Sequence, residues 1–434
     1  MAQPLKVLIN AQMPPSGTWG GAEQFVMGLV YALGRLTDGD EEYILITRPE
    51  NPDWLRAFVA ANQRTVVAPP PRTSRSERSK RIIGPLRQPV GRLLRSVRPL
   101  IRHGPDGFTL PQSNGFYESL GGDVIHFPYQ EFIRCRLPII FNPHDLQHLH
   151  YPQFFSKKVL RARETTYRGG CQCAQAVATP SWAVKSDLEQ LYGLESQKVF
   201  AIHYGPPAVL YGDVTERTLR EVRDRFGLPD SFALFPAQTW PHKNHLRLLE
   251  ALRVLRDRDG VQMNLVCTGT KNDHWPAIRR QIEQSGLQAH VLFLGYVSPL
   301  ELRALYRTAQ LVVYPSLFEG AGLPVLEALQ EGVPVICSDL APLREYGGDA
   351  VLTFDPHSTD SMASSLLRIS TDTDLREQLR ERGKERARTF TWERTARTYR
   401  ALYRNVAGVS LSEDDQRLLA RAACKKAVSA PAAI

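Results

Sequence analysis

The sequence predicts an α/β protein made of two doubly wound domains, and three observations carry that prediction. Short apolar, β-branched runs alternate along the chain with stretches of helical spacing. Loops marked by glycine or proline follow several of those runs, where a parallel strand would hand over to a helix. The 434 residues also suffice for two cores, at roughly 200 residues per domain. The apolar fraction of 43% and charged fraction of 23% are those of a globular chain and exclude collagenous and disordered classes. No apolar stretch approaches the length of a membrane helix, and the opening run Pro4-Leu5-Lys6-Val7-Leu8-Ile9-Asn10 is too short for a signal peptide, so a cytoplasmic protein is expected.

The first domain opens with a strand at Val7-Leu8-Ile9 and a loop through Gly17, Gly20 and Gly21. A helix follows in which Phe25, Val26, Leu29, Val30 and Leu33 share a face. Gly20-Gly21-Ala22-Glu23 lacks the dinucleotide fingerprint, and a tight turn would explain it equally. Between Arg72 and Arg102 stand ten Lys or Arg against one acid, Glu77, an excess that equals the whole formal net charge of +9. With Pro69-Pro70-Pro71 before it and a short amphipathic patch at 91–97, this segment reads as an insertion outside the core. It is either a solvated loop or a basic surface drawn to anionic lipid or to an acidic acceptor; no aromatic platform points to nucleic acid. Further strands are expected at 43–47, 123–127, 138–142, 176–179 and 199–203. His144 and Asp145 come directly after one of them, where α/β sheets collect ligands. His126 either lines the core or joins the cleft, and Glu131 and Arg134 have no assignable place.

Gly205-Pro206-Pro207 breaks the pattern and marks a domain crossing between His203 and Ser231. The second domain begins with a strand near Phe232 and reaches Gln238-Thr239-Trp240-Pro241-His242-Lys243-Asn244-His245 before a helix. Lys243 therefore sits at a strand-to-helix junction, where an ammonium can neutralise a diphosphate, although a lone loop lysine is ordinarily solvated. Strands at 263–268 and 291–294 lead to Gly269 and Gly295, and Tyr296 either stacks on a ligand or fills the core. The six cysteines are scattered, and Cys171-Gln172-Cys173 has no second pair to complete a zinc site, so reduced thiols and no metal are expected.

The strand Leu311-Val312-Val313-Tyr314 feeds Pro315 and Ser316, then Glu319-Gly-Ala-Gly-Leu-Pro-Val-Leu-Glu327. Gly320 and Gly322 permit close approach of a ligand, and Pro324 fits the first position of a helix running to Gly332. Free amides at such a start attract phosphate or hydroxyl oxygens, and Glu327 could accept hydrogen bonds from a ribose diol. A turn in which Glu327 merely caps its helix and Glu319 is solvated would show the same spacing.

From this point the chain resembles glycosyltransferase family 4, retaining enzymes of the GT-B fold whose signature is two glutamates separated by seven residues. The likeness extends through Tyr314-Pro315-Ser316, the Glu319–Glu327 turn, Gly332-Val333-Pro334-Val335-Ile336, Ser338-Asp339, Glu345, Gly348-Asp349-Ala350 and Phe354-Asp355-Pro356. It implies two Rossmann-like domains facing each other across a cleft: residues 1–205 on the acceptor side, with the basic insertion at about 69–120, and residues 206–390 holding the donor. It also implies a helix over 391–408 crossing back to the first domain, with a peripheral tail from 409 to 434. By the same resemblance Glu319 lies against the donor sugar, the amides of Gly320, Ala321, Gly322 and Leu323 hold its hydroxyls, and Glu327 binds the ribose. Lys243 with Asn244 meets the diphosphate, Gly20 and Gly21 approach the donor phosphate, Tyr296 and Val297 the nucleobase, and His144 a hydroxyl of the sugar or acceptor.

The implied reaction moves a hexose from a nucleotide-diphospho-sugar to a hydroxyl of a glycan, lipid-linked or polysaccharide acceptor by same-face attack, with no metal required and no nucleic acid involved. Similarity of Trp240-Pro241-His242-Lys243-Asn244 to polysaccharide mannosyltransferases points to mannose from a guanosine donor. One departure stands out: many relatives carry an arginine about six positions before the lysine, where this chain has Pro236-Ala237-Gln238. His242, Asn244 or another cation replaces it, or Lys243 and backbone amides suffice. An epimerase or inverting transferase of the same fold, and a non-catalytic protein whose basic segment binds a surface, are the competing readings. Peripheral contact with the inner face of the membrane through residues 72–102 is a further expectation.

Overall fold

The computed structural model describes residues 3–13, 20–70 and 109–425. Gly17, the basic segment 72–102 and the last residues of the tail lie outside them.

Two parallel sheets organise the molecule. The first contains β1 (Lys6–Asn10), β2 (Glu42–Thr47), β3 (Gln63–Val67), β4 (Val124–Phe127), β5 (Ile139–Phe141), β6 (Ala176–Thr179) and β7 (Val199–Ala201), in the order β3-β2-β1-β4-β5-β6-β7. The second contains β8 (Ala233–Pro236), β9 (Leu265–Thr268), β10 (Val291–Phe293), β11 (Leu311–Tyr314), β12 (Val335–Ser338) and β13 (Val351–Phe354), in the order β10-β9-β8-β11-β12-β13. Strands such as β8 and β11 are buried along their whole length, as expected when helices cover both faces of a parallel sheet. Both orders reverse direction beside their first strand, between β1 and β4 and between β8 and β11. Such switch points leave a crevice at the carboxyl ends of the strands, where open α/β sheets bind ligands.

One strand escapes the sequence pattern. β3 is an edge strand in which only Gln63 is buried, so Arg64 and Thr65 break the apolar run without breaking the ladder to β2. The helix after the two-glutamate turn runs Leu323–Gln330, starting one residue and ending two residues earlier than expected, with Pro324 inside its first turn.

Helix Trp392–Val406, capped by the Thr391 side chain, packs Trp392, Ala396, Tyr399, Leu402 and Tyr403 into the first domain's core against Phe25, Val26 and Leu29. Gly28 is required there, because any Cβ would overlap the Trp392 indole. Asp38 on the first domain accepts from Arg397 and Arg400, and burial of Arg400 places that pair partly out of water. His126 belongs to this interior: it is fully buried, with Nδ1 2.8 Å from the Tyr403 hydroxyl and Nε2 2.9 Å from Asn142 Oδ1. Its role is therefore core packing, and burial pushes its pKa down to about 3. The tail begins with a helix, Glu413–Ala423, closed by a Ser412–Asp415 capping box and packed on Trp392–Val406. No helix among the described residues is long and apolar enough to cross a membrane.

Candidate active site

β8 and β11 flank the second sheet's switch point, and each delivers one charged side chain to it. After β8 a single turn, Pro241–Lys243, ends at Asn244, whose positive φ of 64° turns the chain into helix His245–Asp259. That turn aims Lys243 back over β11. Its Nζ lies 2.7 Å from Glu319 Oε1 and 2.7 Å from the Tyr314 hydroxyl, with both side chains of the ion pair at most 15% exposed. Burial alone would discharge the lysine, but the Glu319 carboxylate and the Tyr314 hydroxyl outweigh it and raise its pKa. The ammonium therefore stays charged across the physiological range.

Glu319 is held at the far end of the loop after β11, which is pinned by Leu317 N donating to His242 O at 2.7 Å. Next comes Gly320, where a side chain is impossible: a Cβ would collide with the His144 carbonyl and lie 3.0 Å from the Asp145 Cβ of the first domain. Ser181 Oγ, also from the first domain, donates to Gly320 O at 2.8 Å. Gly322 is close-packed on Tyr346, and no side chain caps the helix that begins at Leu323. The start of that helix is the positive end of its dipole.

Glu327 lies one turn further along, 7% exposed, accepting from the Tyr306 hydroxyl at 2.7 Å and from Gln24 Nε2 at 3.4 Å. Burial raises its pKa to about 7, with the two hydrogen bonds pulling the other way. Gln24 stands on helix Gly21–Leu33 of the first domain, so Gly20 and Gly21 are brought to the same place. A Cβ on Gly21 would touch Leu323 at 3.6 Å, and one on Gly20 would lie 4.0 Å from Gln238 Nε2. Gly20, with φ of 52°, needs its glycine backbone.

His144 faces this loop with its main chain. Its φ of 66° is unusual for a residue with a side chain, and turns its carbonyl toward Gly320. The ring is engaged inside the first domain: Nε2 is 2.8 Å from Pro128 O and Nδ1 is 3.1 Å from the Tyr204 hydroxyl. Because a carbonyl only accepts, Nε2 carries the proton, and burial, which lowers the ring's pKa, favours the neutral imidazole in which Nδ1 accepts from Tyr204. A hydroxyl of sugar or acceptor would have to displace one of these bonds to reach the ring.

The remaining expected contacts separate. Asn244 is committed to structure, its Nδ2 donating to Pro315 O at 3.0 Å and Pro356 O at 2.9 Å, so it ties two loops together and does not offer that amide to a ligand. Tyr296 is 63% exposed and thus not a core residue, whereas Val297 is buried. Of the substitutes named for the absent arginine, His242 is held well below its ordinary pKa by burial and by Lys243, and the Asn244 amide is already committed to two carbonyls. Neither supplies a second positive charge. Arg134 forms a main-chain bridge with Gln112, and Glu131 pairs with Arg48 at 2.8 Å at the first domain's strand ends.

Three participants had no role that the sequence could assign. Tyr314 lies in a strand whose apolar pattern hides its hydroxyl. Gln24 looks like any polar residue on a helix. Glu345 of the second domain accepts from Trp182 N and Ala183 N, each at 2.8 Å, and lies 3.1 Å from His203 Nε2, thereby capping a first-domain helix from across the crevice.

Residues 19–206 match a family described as Glycosyltransferase Family 4, and residues 221–386 one described as Glycosyl transferases group 1. The chain is 29% identical over 254 residues to O-antigen chain mannosyltransferase B of Escherichia coli, covering 58% of this chain and 66% of that one. It is 28% identical over 279 residues to D-inositol 3-phosphate glycosyltransferase of Corynebacterium glutamicum, covering 62% and 66%. The matches thus span just under two thirds of those relatives' lengths. Among solved structures, Anabaena HepE in complex with UDP and glucose aligns with a TM-score of 0.65 at 17% identity, over 92% of this chain and 100% of that one. Sucrose-phosphate synthase from Thermosynechococcus elongatus aligns with a TM-score of 0.66 at 19% identity, over 94% and 100%. At such identities the likeness is one of fold, the two-domain GT-B arrangement.

Proposed function

Since this chain belongs to glycosyltransferase family 4, we propose that it transfers a hexose from a nucleotide-diphospho-sugar to a hydroxyl of a glycan, lipid-linked or polysaccharide acceptor, with retention at the anomeric carbon. The observation that carries this reading is the buried Lys243–Glu319 pair set beside an uncapped helix start, with Glu327 one turn beyond. A diphosphate placed there meets a permanent positive charge and a set of free amides. Glu319, released from Lys243 by the incoming phosphate, is free to accept from sugar hydroxyls, and Glu327 from the ribose diol.

In the proposed step the acceptor oxygen attacks the anomeric carbon on the face from which the diphosphate departs. The bond from that carbon to the phosphate oxygen breaks, and the acceptor's proton passes to the departing phosphate. Lys243 and the helix start at Leu323 stabilise the charge that develops on the leaving oxygen. The close approach of the His144 carbonyl to Gly320 holds the loop that carries Glu319 against the first domain.

Mannose is the first sugar to test, because the relatives include O-antigen mannosyltransferases from Escherichia coli and Salmonella typhimurium. Incubation with GDP-mannose, UDP-glucose and their congeners against a panel of short glycosides, with the product's anomeric configuration read by NMR, tests the proposal. An α-linked product from an α-configured donor supports it; an inverted product, or epimerised free sugar, refutes it.

A further inference from the structure

A cavity of about 500 Å³ lies away from the strand ends that build the donor site, beside the edge strand β7 and under the start of helix Trp392–Val406. All the parts that must move when the two domains change their angle contribute to its wall: Trp182 and His203 from the first domain, Glu345 and Phe390 from the second, and Leu418 from the tail helix. Its volume falls within the range of roughly 300–1,000 Å³ typical of small-molecule sites.

The charges in it are of two kinds. Glu345 is saturated by two amides and His203, and the Arg386 guanidinium donates to the carbonyls of Glu345 and Tyr346 while lying over the Phe390 ring. Arg394, Arg421 and Lys425 also line the cavity, and none of their side chains has a hydrogen-bond or ion-pair partner among the described residues. Arg394 stands in the first turn of a helix, where a cation opposes the dipole and an anion is favoured. Partial loss of solvent at the cavity rim and the neighbouring Arg421 both act against its charge. Three exposed like charges gathered at one rim of the cavity repel one another, and a bound anion would relieve that repulsion.

We propose that this hinge cavity is a binding site for an organic phosphate, whose phosphate group is held by Arg394, Arg421 and Lys425 and whose apolar or aromatic body lies against Trp182 and Leu418. A dianionic phosphate suits three donors-only cations better than a carboxylate does, and two guanidiniums can grip it in bidentate fashion. Because the site is shared by both domains and the crossing helix, occupancy favours whichever interdomain angle keeps its walls together. The inference is independent of the donor assignment.

The test uses the full chain and 1-naphthyl phosphate as probe, with 1-naphthol and inorganic phosphate as its two halves, read by calorimetry and by Trp fluorescence. Saturable binding of the phosphate ester is expected, with each half weaker. Arg394→Ala combined with Arg421→Ala should weaken it about tenfold or more, while Lys243→Ala leaves it unchanged. Arg421→Glu, which gives Arg394 a carboxylate partner, should abolish binding without lowering the thermal midpoint, so loss of fold is not mistaken for loss of the site. No binding by the wild-type chain, binding unaffected by the arginine variants, or binding lost in Lys243→Ala would each overturn the proposal.

Discussion

Lys243 and Glu319 hold each other in the crevice, and their separate removal should have different consequences. Lys243→Ala deletes the charge opposite the leaving group, and is expected to slow transfer by about two to three orders of magnitude, the usual cost of one donor to a developing anion. It should also weaken nucleoside diphosphate binding. Glu319→Ala leaves the ammonium to the diphosphate alone; turnover should vanish while nucleoside diphosphate affinity stays equal or tightens. Equal losses of affinity in both variants would argue against this division of labour. Glu327 supplies a pH dependence with a definite sign. Its carboxyl, raised by burial to about 7, is protonated below that pH, and ribose hydroxyls donate to the ionised form. Donor binding should therefore tighten as pH rises from 6 to 8, by at most about tenfold per unit below the pKa, and Glu327→Gln should flatten the profile. Stability runs oppositely: an acid whose pKa is raised by folding favours the folded state below the ordinary carboxyl range, and that contribution is lost as pH rises through about 7. The thermal midpoint of the free protein is expected to show this loss, and that of Glu327→Gln to lack it.

At the level of elements, the two loops that meet across the crevice are built to touch. The loop after β11 can approach the loop after β5 only because Gly320 has no Cβ and His144 accepts a positive φ. Gly320→Ala should keep both sheets folded yet hold the loops apart, giving a near-native circular dichroism spectrum and a transfer rate reduced at least as far as in Lys243→Ala. The helix Trp182–Tyr192 has its own cap in Ser181, but its first two amides are satisfied by Glu345 from the other domain. Glu345→Ala leaves those amides bare at the cost of a lost cap, about 1 kcal/mol. The cost falls on the contact between domains, so a larger radius of gyration in scattering is the expected result.

Across the whole molecule, the crevice is bridged by Gln24 to Glu327, Ser181 to Gly320, Tyr346 to Pro180 and Tyr151 to Leu317, besides Glu345. These bonds link donor loops directly to the first domain, so a donor that engages Glu319 and Glu327 acts on the interdomain angle as well. A cognate nucleoside diphosphate at about a hundred times its dissociation constant should stabilise the chain by about 2.7 kcal/mol and do so in one transition; a shift confined to one of two transitions would show that the domains respond separately.

Strand alternation, the glycine loops and the paired glutamates belong to the sequence, because parallel strands buried on both faces must be continuously apolar and a tight ligand turn must shed its side chains. Leu311–Tyr314 and the Glu319–Glu327 spacing were legible for that reason, and so was Lys243 at a strand end. β3 was not, since an edge strand with one buried residue leaves no apolar pattern to read. Nor were the roles of Gln24 and Glu345, the commitment of Asn244 to two carbonyls, or the inward turn of the His144 ring. Each of these depends on partners brought near by the fold or on a backbone angle, and neither leaves a periodic trace. The sequence determined which residues could carry the chemistry; the packing of one domain on the other decided which atoms of those residues face the crevice and which are already spent holding it.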